Sequence, residues 1–138
     1  MPPSLRDIEA GLRRTSETLA ATLAAGEINR DAAAWNDLEW RLGAAAAAAH
    51  GVSPLLGELD GWSGDRLWRE FLQEQRAHVE ARHRRITGLL ERIDRDAHVA
   101  GLAFVPLKGA ALHALGVYVP GQRPMADVDL LVHEDGRY

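Results

Sequence analysis

Cysteine is absent from the 138-residue chain, which excludes disulfides, thiolate metal sites and cysteine nucleophiles together. That absence fits a reducing compartment. Long apolar runs are missing as well. The longest unbroken stretch of small or apolar residues, 42–49, is mostly alanine and too short to cross a bilayer. Arg6 and Asp7 put charges where a signal peptide needs its apolar stretch. A soluble, cytoplasmic protein with no membrane partner is the expectation. There is no basic excess either: Lys plus Arg is 16 against 20 for Asp plus Glu, a formal charge of −4. Wholesale nucleic-acid binding, which shows as a positive surface, is therefore not expected. No two of the six histidines stand four residues apart and HExxH is missing, so the zinc-hydrolase pattern is excluded.

What is present is ordinary globular composition, 46% hydrophobic and 26% charged, in a length suited to one sizeable core. Ser4 with Asp7 predicts a capped first helix, its stripe running through Leu5, Ile8, Leu12, Leu19 and Leu23 until Gly26. Asp31 is the expected cap of a second helix towards His50, with Trp35, Leu38 and Leu42 on one side. The alanine block 44–49 favours helix and has little bulk, which suits close helix–helix packing. Glycines at 51, 57, 61 and 64 and Ser53-Pro54 interrupt the pattern. Leu55, Leu56 and Leu59 between them suit a helical turn that plugs the core. Trp62 and Trp68 fall among helical apolar positions and read as core anchors rather than as a base-stacking platform.

Asp65 is the expected cap of the longest helix, to about residue 99. Leu72, Val79, Ile86 and Ile93 recur every seven residues and mark one buried stripe. The remaining face is charged, and its cluster Arg82-His83-Arg84-Arg85 reads as solvated and ion-paired. Gly101 ends the helix.

The chemistry gathers in residues 104–132. Phe104-Val105-Pro106-Leu107 predicts a short strand, Lys108-Gly109 a turn, and 110–115 a short helix stopped by Gly116. Pro120-Gly121 and Pro124 mark a connection, and residues 127–132 predict a second strand. Strand alternation puts Asp127 and Asp129 on one face. Two carboxylates that close repel one another unless a cation lies between them, and hard oxygen ligands suit Mg²⁺. Gly109 opens a helix directly after a strand, so a phosphate can approach bare backbone N–H groups, with Lys108 adding a mobile positive charge. Arg123 suits a triphosphate or the fixing of its own loop equally well. Tyr118 reads as packing, and surface placement is expected for His113 and His133.

These residues resemble the nucleotidyltransferase superfamily that includes DNA polymerase β, and within it the bacterial branch of uncharacterised nucleotidyltransferases. The resemblance rests on Leu107-Lys108-Gly109-Ala110-Ala111-Leu112, Tyr118, Pro120-Gly121, Arg123 and the strand from Asp127 to Val132, in that order and spacing. A weaker likeness starts near Trp35 and includes His50-Gly51-Val52 before Pro54-Leu55-Leu56. It implies an α/β (α+β) fold: a helical region over 1–100, then the beginning of a polymerase β-like mixed sheet over 101–138. It also implies transfer of a nucleoside monophosphate from an NTP, ATP first among them, to an unidentified acceptor. Asp127 and Asp129 would be the catalytic metal ligands for Mg²⁺, and Lys108, Gly109, Ala110 and Arg123 would hold phosphate. Two departures stand out. Ala110 replaces the hydroxyl or second glycine usual at the turn. The superfamily's third carboxylate, on a later strand, is not supplied by Glu134 or Asp135, so the chain is expected to be the front part of such an enzyme, completed by a further segment or a partner. The alternative expectation is a catalytically inactive binding or regulatory module with a helical docking surface.

Overall fold

A computed structural model describes residues 2–62 and 66–132. The expected cap Asp65, with Gly64, His133, Glu134 and Asp135, lies outside the described residues. The order of elements is α1 (Leu5–Ala25), a 3₁₀ turn (Arg30–Ala34), α2 (Asp37–Ala49), α3 (Ser53–Leu56), α4 (Arg66–Val99), β1 (Phe104–Leu107), α5 (Lys108–Ala114) and β2 (Asp129–Val132). This is an α+β chain, mostly helical, in two compact units, 1–76 and 77–138. Among the described residues no helix is long and apolar enough to cross a membrane.

In the first unit, α1 starts as expected. Ser4 and Asp7 form a capping box, and the Ser4 hydroxyl and N–H both bond Asp7, holding its carboxyl below the usual range. The buried face is Gly11, Thr15, Thr18, Leu19 and Thr22; of the expected stripe, Leu19 is buried and Leu23 packs on the core, but the N-terminal leucines do not. Leu5 is 85% exposed and Leu12 lies near the surface. Threonine takes these positions because its hydroxyl can bond within the helix: Thr15 donates to the Gly11 carbonyl and Thr18 to the Arg14 carbonyl, each at 2.9 Å. Small side chains then let α2 approach closely, as the alanine block predicted. A Cβ added at Gly11 would stand 2.6 Å from Leu42 Cδ1.

The second helix begins later than expected. Asn29 caps the 3₁₀ turn, to which Asp31 belongs, and Asn36 caps α2 through a capping box with Glu39. The reason lies in Glu39. Its buried carboxylate accepts the Asn36 N–H at 2.8 Å and Arg14 Nη1 at 3.0 Å, a satisfied arrangement that fixes the helix start there. His50 is the C-cap of α2, in line with the sequence reading.

The core of this unit is aromatic. Trp35, Trp62 and Trp68 are buried with Leu19, Leu56 and Leu72, and Trp40 and Phe71 pack on them. The indoles meet edge-on, with centroids 4.8 Å apart for Trp35–Trp40 and 5.2 Å for Trp62–Trp68, geometry that suits the ring quadrupoles. Trp62 Nε1 also donates to the Leu56 carbonyl at 2.9 Å. The tryptophans are core anchors.

In α4 the heptad stripe is borne out: Leu72, Val79 and Ile86 are buried and Ile93 half-buried. In the second unit β1 and β2 pair antiparallel, Phe104 with Val132, Val105 with Leu131, Pro106 with Leu130 and Leu107 with Asp129. The second strand therefore starts at Asp129 rather than at residue 127. Residues 127 and 128 precede it without ladder hydrogen bonds, because pairing ends where β1 turns into α5.

Two helical glycines predict opposite responses to alanine. At Gly43 a Cβ would lie 2.7 Å from the Trp35 ring, a rigid neighbour. Overpacking of about 1–3 kcal/mol should outweigh a helix-propensity gain of about 1 kcal/mol. At Gly88 no atom lies within 4 Å, so alanine should stabilise by about 0.5–1 kcal/mol. Urea unfolding of the two variants should move the midpoint in opposite directions.

Candidate metal and phosphate site

The antiparallel register decides what the turn after β1 can reach. Leu107, the last residue of β1, stands opposite Asp129, the first of β2. Paired residues share a face, so Asp129 lies on the side of Val105, Leu107 and Leu131, the more exposed face of the hairpin. Lys108 follows at once with φ +48°, a left-handed backbone unusual for a residue other than glycine. That geometry costs a side chain about 1–2 kcal/mol. It turns the chain sharply into α5 and brings Lys108 Nζ to 3.1 Å from Asp129 Oδ2. Lys108 is also the only lysine in the chain.

The other predicted residues divide. Asp127 is exposed, two residues ahead of β2. Gly109 is half-buried in the first turn of α5. A Cβ there would meet Met125 Sδ at 3.1 Å, so the thioether already covers one side of the glycine. Ala110 is 1% exposed, so its backbone as well as its side chain is closed to solvent, contrary to the phosphate-holding role expected for it. The N-cap of α5, Leu107, makes no side-chain capping bond, so no side chain caps the helix start. Arg123 is exposed, its guanidinium 5.2 Å from the Tyr118 ring centroid. Tyr118 is thus a platform for Arg123 as well as packing.

Residues outside the predicted site also shape this region, several of them in roles the sequence reading did not give them. Arg82 Nη2 donates to the Ala126 carbonyl and so pins the segment just before the aspartates. That bond takes Arg82 out of the purely solvated face expected for its cluster. Gly121, φ +91° and buried, sits against Glu80, whose Cγ would be 2.7 Å from an added Cβ. His113 is half-buried rather than at the surface. Its ring centroid is 3.9 Å from that of His83, and its Nε2 lies 2.9 Å from Thr87 Oγ1. Thr87 Oγ1 also lies 3.1 Å from the His83 carbonyl, one turn earlier in α4. Burial, and then the charge of His83, hold the His113 pKa below its ordinary 6.5. Residues 83 and 87 are one turn apart on α4, and only the fold adds residue 113 to them.

The cavity between these groups, lined by His83, Gly109, His113, Tyr118, Val119, Arg123 and Met125, holds about 20 Å³. That is room for about one water, not for a base. A larger hollow of about 300 Å³ lies in the first unit among Asp37, Trp40, Arg41, Ala44, Leu67 and Trp68 and contains none of the predicted residues.

Among the described residues no three His, Cys, Asp or Glu side chains converge to hold a metal. Mg²⁺ does not require it, because one or two carboxylates suffice when water and phosphate complete the shell. Asp129 already holds one cation, the Lys108 ammonium, on an accessible carboxylate. The residues present therefore fit a divalent cation bound together with phosphate.

The chain is thus α+β, with an acidic strand start beside a lysine-glycine turn. The comparison of families resolves it further: the family described as uncharacterised nucleotidyltransferase matches residues 36–138, and the chain belongs to that family. No curated protein and no solved structure matches it. The matched span includes α2 to α4 as well as the hairpin, so the likeness noted from Trp35 onward extends through the helices. Function of the nucleotidyltransferase kind follows from the family.

The low His113 pKa predicts an acid-sensitive fold. Stability from neutral His113 is fully present above 6.5, the value for an unperturbed histidine, and is lost as pH falls through the depressed folded value, because the unfolded chain takes up the proton more readily. Urea midpoints at pH 7.5 and 5.5 should differ more in wild type than in His113→Gln.

Proposed function

We propose that the edge formed by the Lys108 turn and the start of β2 binds a nucleoside triphosphate with Mg²⁺ and transfers its nucleoside monophosphate to an acceptor hydroxyl. The observation that carries this reading is the 3.1 Å pair of Lys108 and Asp129. It puts the phosphate-seeking cation and the metal-seeking carboxylate within one side chain's reach. Family membership supplies the reaction class.

In this reading Asp129 and Asp127 are the metal ligands and the catalytic carboxylates. Mg²⁺ bound there would neutralise triphosphate charge and activate the acceptor hydroxyl. Lys108 offsets phosphate charge as a mobile point charge. The backbone N–H of Gly109 faces the same phosphates from the uncapped first turn of α5. Arg123, braced on Tyr118, lends a second cation whose fork matches phosphate oxygens. The acceptor oxygen bonds to the α-phosphorus as the bond to pyrophosphate breaks. ATP is the donor to test first.

Isothermal titration of Mg²⁺-ATP into wild type and the Asp127→Asn/Asp129→Asn double variant tests the proposal. The variant should lose on the order of 100-fold in affinity, about 2.7 kcal/mol. Binding that is equal in both, or absent from both, would instead support a helical binding module.

A further inference from the structure

Three features coincide at Lys108. It is the sole lysine in a chain whose other fifteen basic residues are arginine. It occupies a left-handed backbone position, φ +48°, where glycine would be unstrained. Its ammonium is paired to Asp129, a carboxylate read above as a metal ligand. Strain at a residue that glycine could replace without strain points to a use for the side chain.

We propose that Lys108 is an internal stand-in for the metal: it neutralises Asp129 while no divalent cation is bound, and moves to the phosphates when the metal–nucleotide complex arrives. The inference rests on the nucleotide reading above and adds a residue-level device to it. Three observations support the exchange. The ammonium lies at 3.1 Å from Oδ2, on the atom a cation would use. The pair is loose, with the two side chains 77% and 38% exposed, and exposed pairs of this kind are weak and screened by water. The residue type also suits release. Lysine is a compact charge on a flexible stem, whereas arginine grips a carboxylate with a rigid fork and exchanges less readily. Two arginines of the chain serve as anchors, Arg14 on buried Glu39 and Arg82 on the Ala126 carbonyl. At the one position where a cation must let go, the chain has lysine.

The exchange predicts opposite effects on two ligands. Using the full chain, Mn²⁺ alone is titrated by electron paramagnetic resonance, and inorganic pyrophosphate with Mg²⁺ by calorimetry. Wild type, Lys108→Gly, Lys108→Arg and Asp129→Asn are compared, with thermal melts confirming that each is folded. Lys108→Gly should bind Mn²⁺ about fivefold tighter than wild type, in line with loss of a weak exposed pair. The same variant should bind Mg²⁺-pyrophosphate more weakly, and Lys108→Arg should bind Mn²⁺ more weakly than wild type. Because residue 108 carries the only side-chain amine, acetic anhydride labelling followed by mass spectrometry reads its state directly. Labelling should rise with Mn²⁺ and fall with Mg²⁺-pyrophosphate.

Equal Mn²⁺ affinity in wild type and Lys108→Gly, with binding lost in Asp129→Asn, would overturn the exchange while leaving the metal site intact. Tighter Mn²⁺ binding with unchanged pyrophosphate affinity would overturn it too, since Lys108 would then have no second position. Mn²⁺ binding unaffected by Asp129→Asn would remove the metal reading and the exchange with it.

Discussion

The candidate site depends on one pairing, Leu107 opposite Asp129. A slip of one residue in that ladder would send Asp129 to the other face of the hairpin and separate it from the turn. The register is held by what surrounds it. Phe104, Pro106 and Leu130 are half-buried on one face, while Val105 and Leu131 pair on the other. Pro106 has no N–H to contribute to a ladder, so the hairpin does not stand on backbone bonds alone. Glu80, Arg82 and His83 of α4 supply the rest through Gly121, the Ala126 carbonyl and His113. The charged face of that helix is thus part of the scaffold for the loop before the aspartates.

The two units solve burial differently. The first builds its core from indoles and from threonines whose hydroxyls are satisfied within their own helix. The second, in its described part, buries few large side chains and uses specific polar bonds to place a loop. A loop held by a handful of bonds at a scaffold's edge is where ligand-binding groups commonly reside.

How much of this was legible beforehand differs by feature. The capping box at Ser4, the alanine contact surface and the heptad stripe of α4 were readable because each is local, set by spacing along one helix. The hairpin and the lysine-glycine turn were readable through a string of motif residues in fixed order. The threonine face of α1 was not, since periodicity weights leucine over a hydroxyl that can bond internally. The start of α2 was misplaced because Asn36 and Asp31 are both good caps, and a buried Glu39 decided between them through Arg14, twenty-five residues away. The His83–Thr87–His113 cluster and the hold of Arg82 on the loop arise only when separate elements meet, and no spacing encodes that.

The bond from Arg82 ends on a main-chain oxygen. Every amino acid supplies that oxygen, so position 126 is free to drift in side-chain identity while the loop stays moored. Length is another matter. Adding or deleting one residue between Gly121 and Ala126 would offer α4 the wrong carbonyl, so position 126 should tolerate a change of spelling far better than the stretch before it tolerates a change of count.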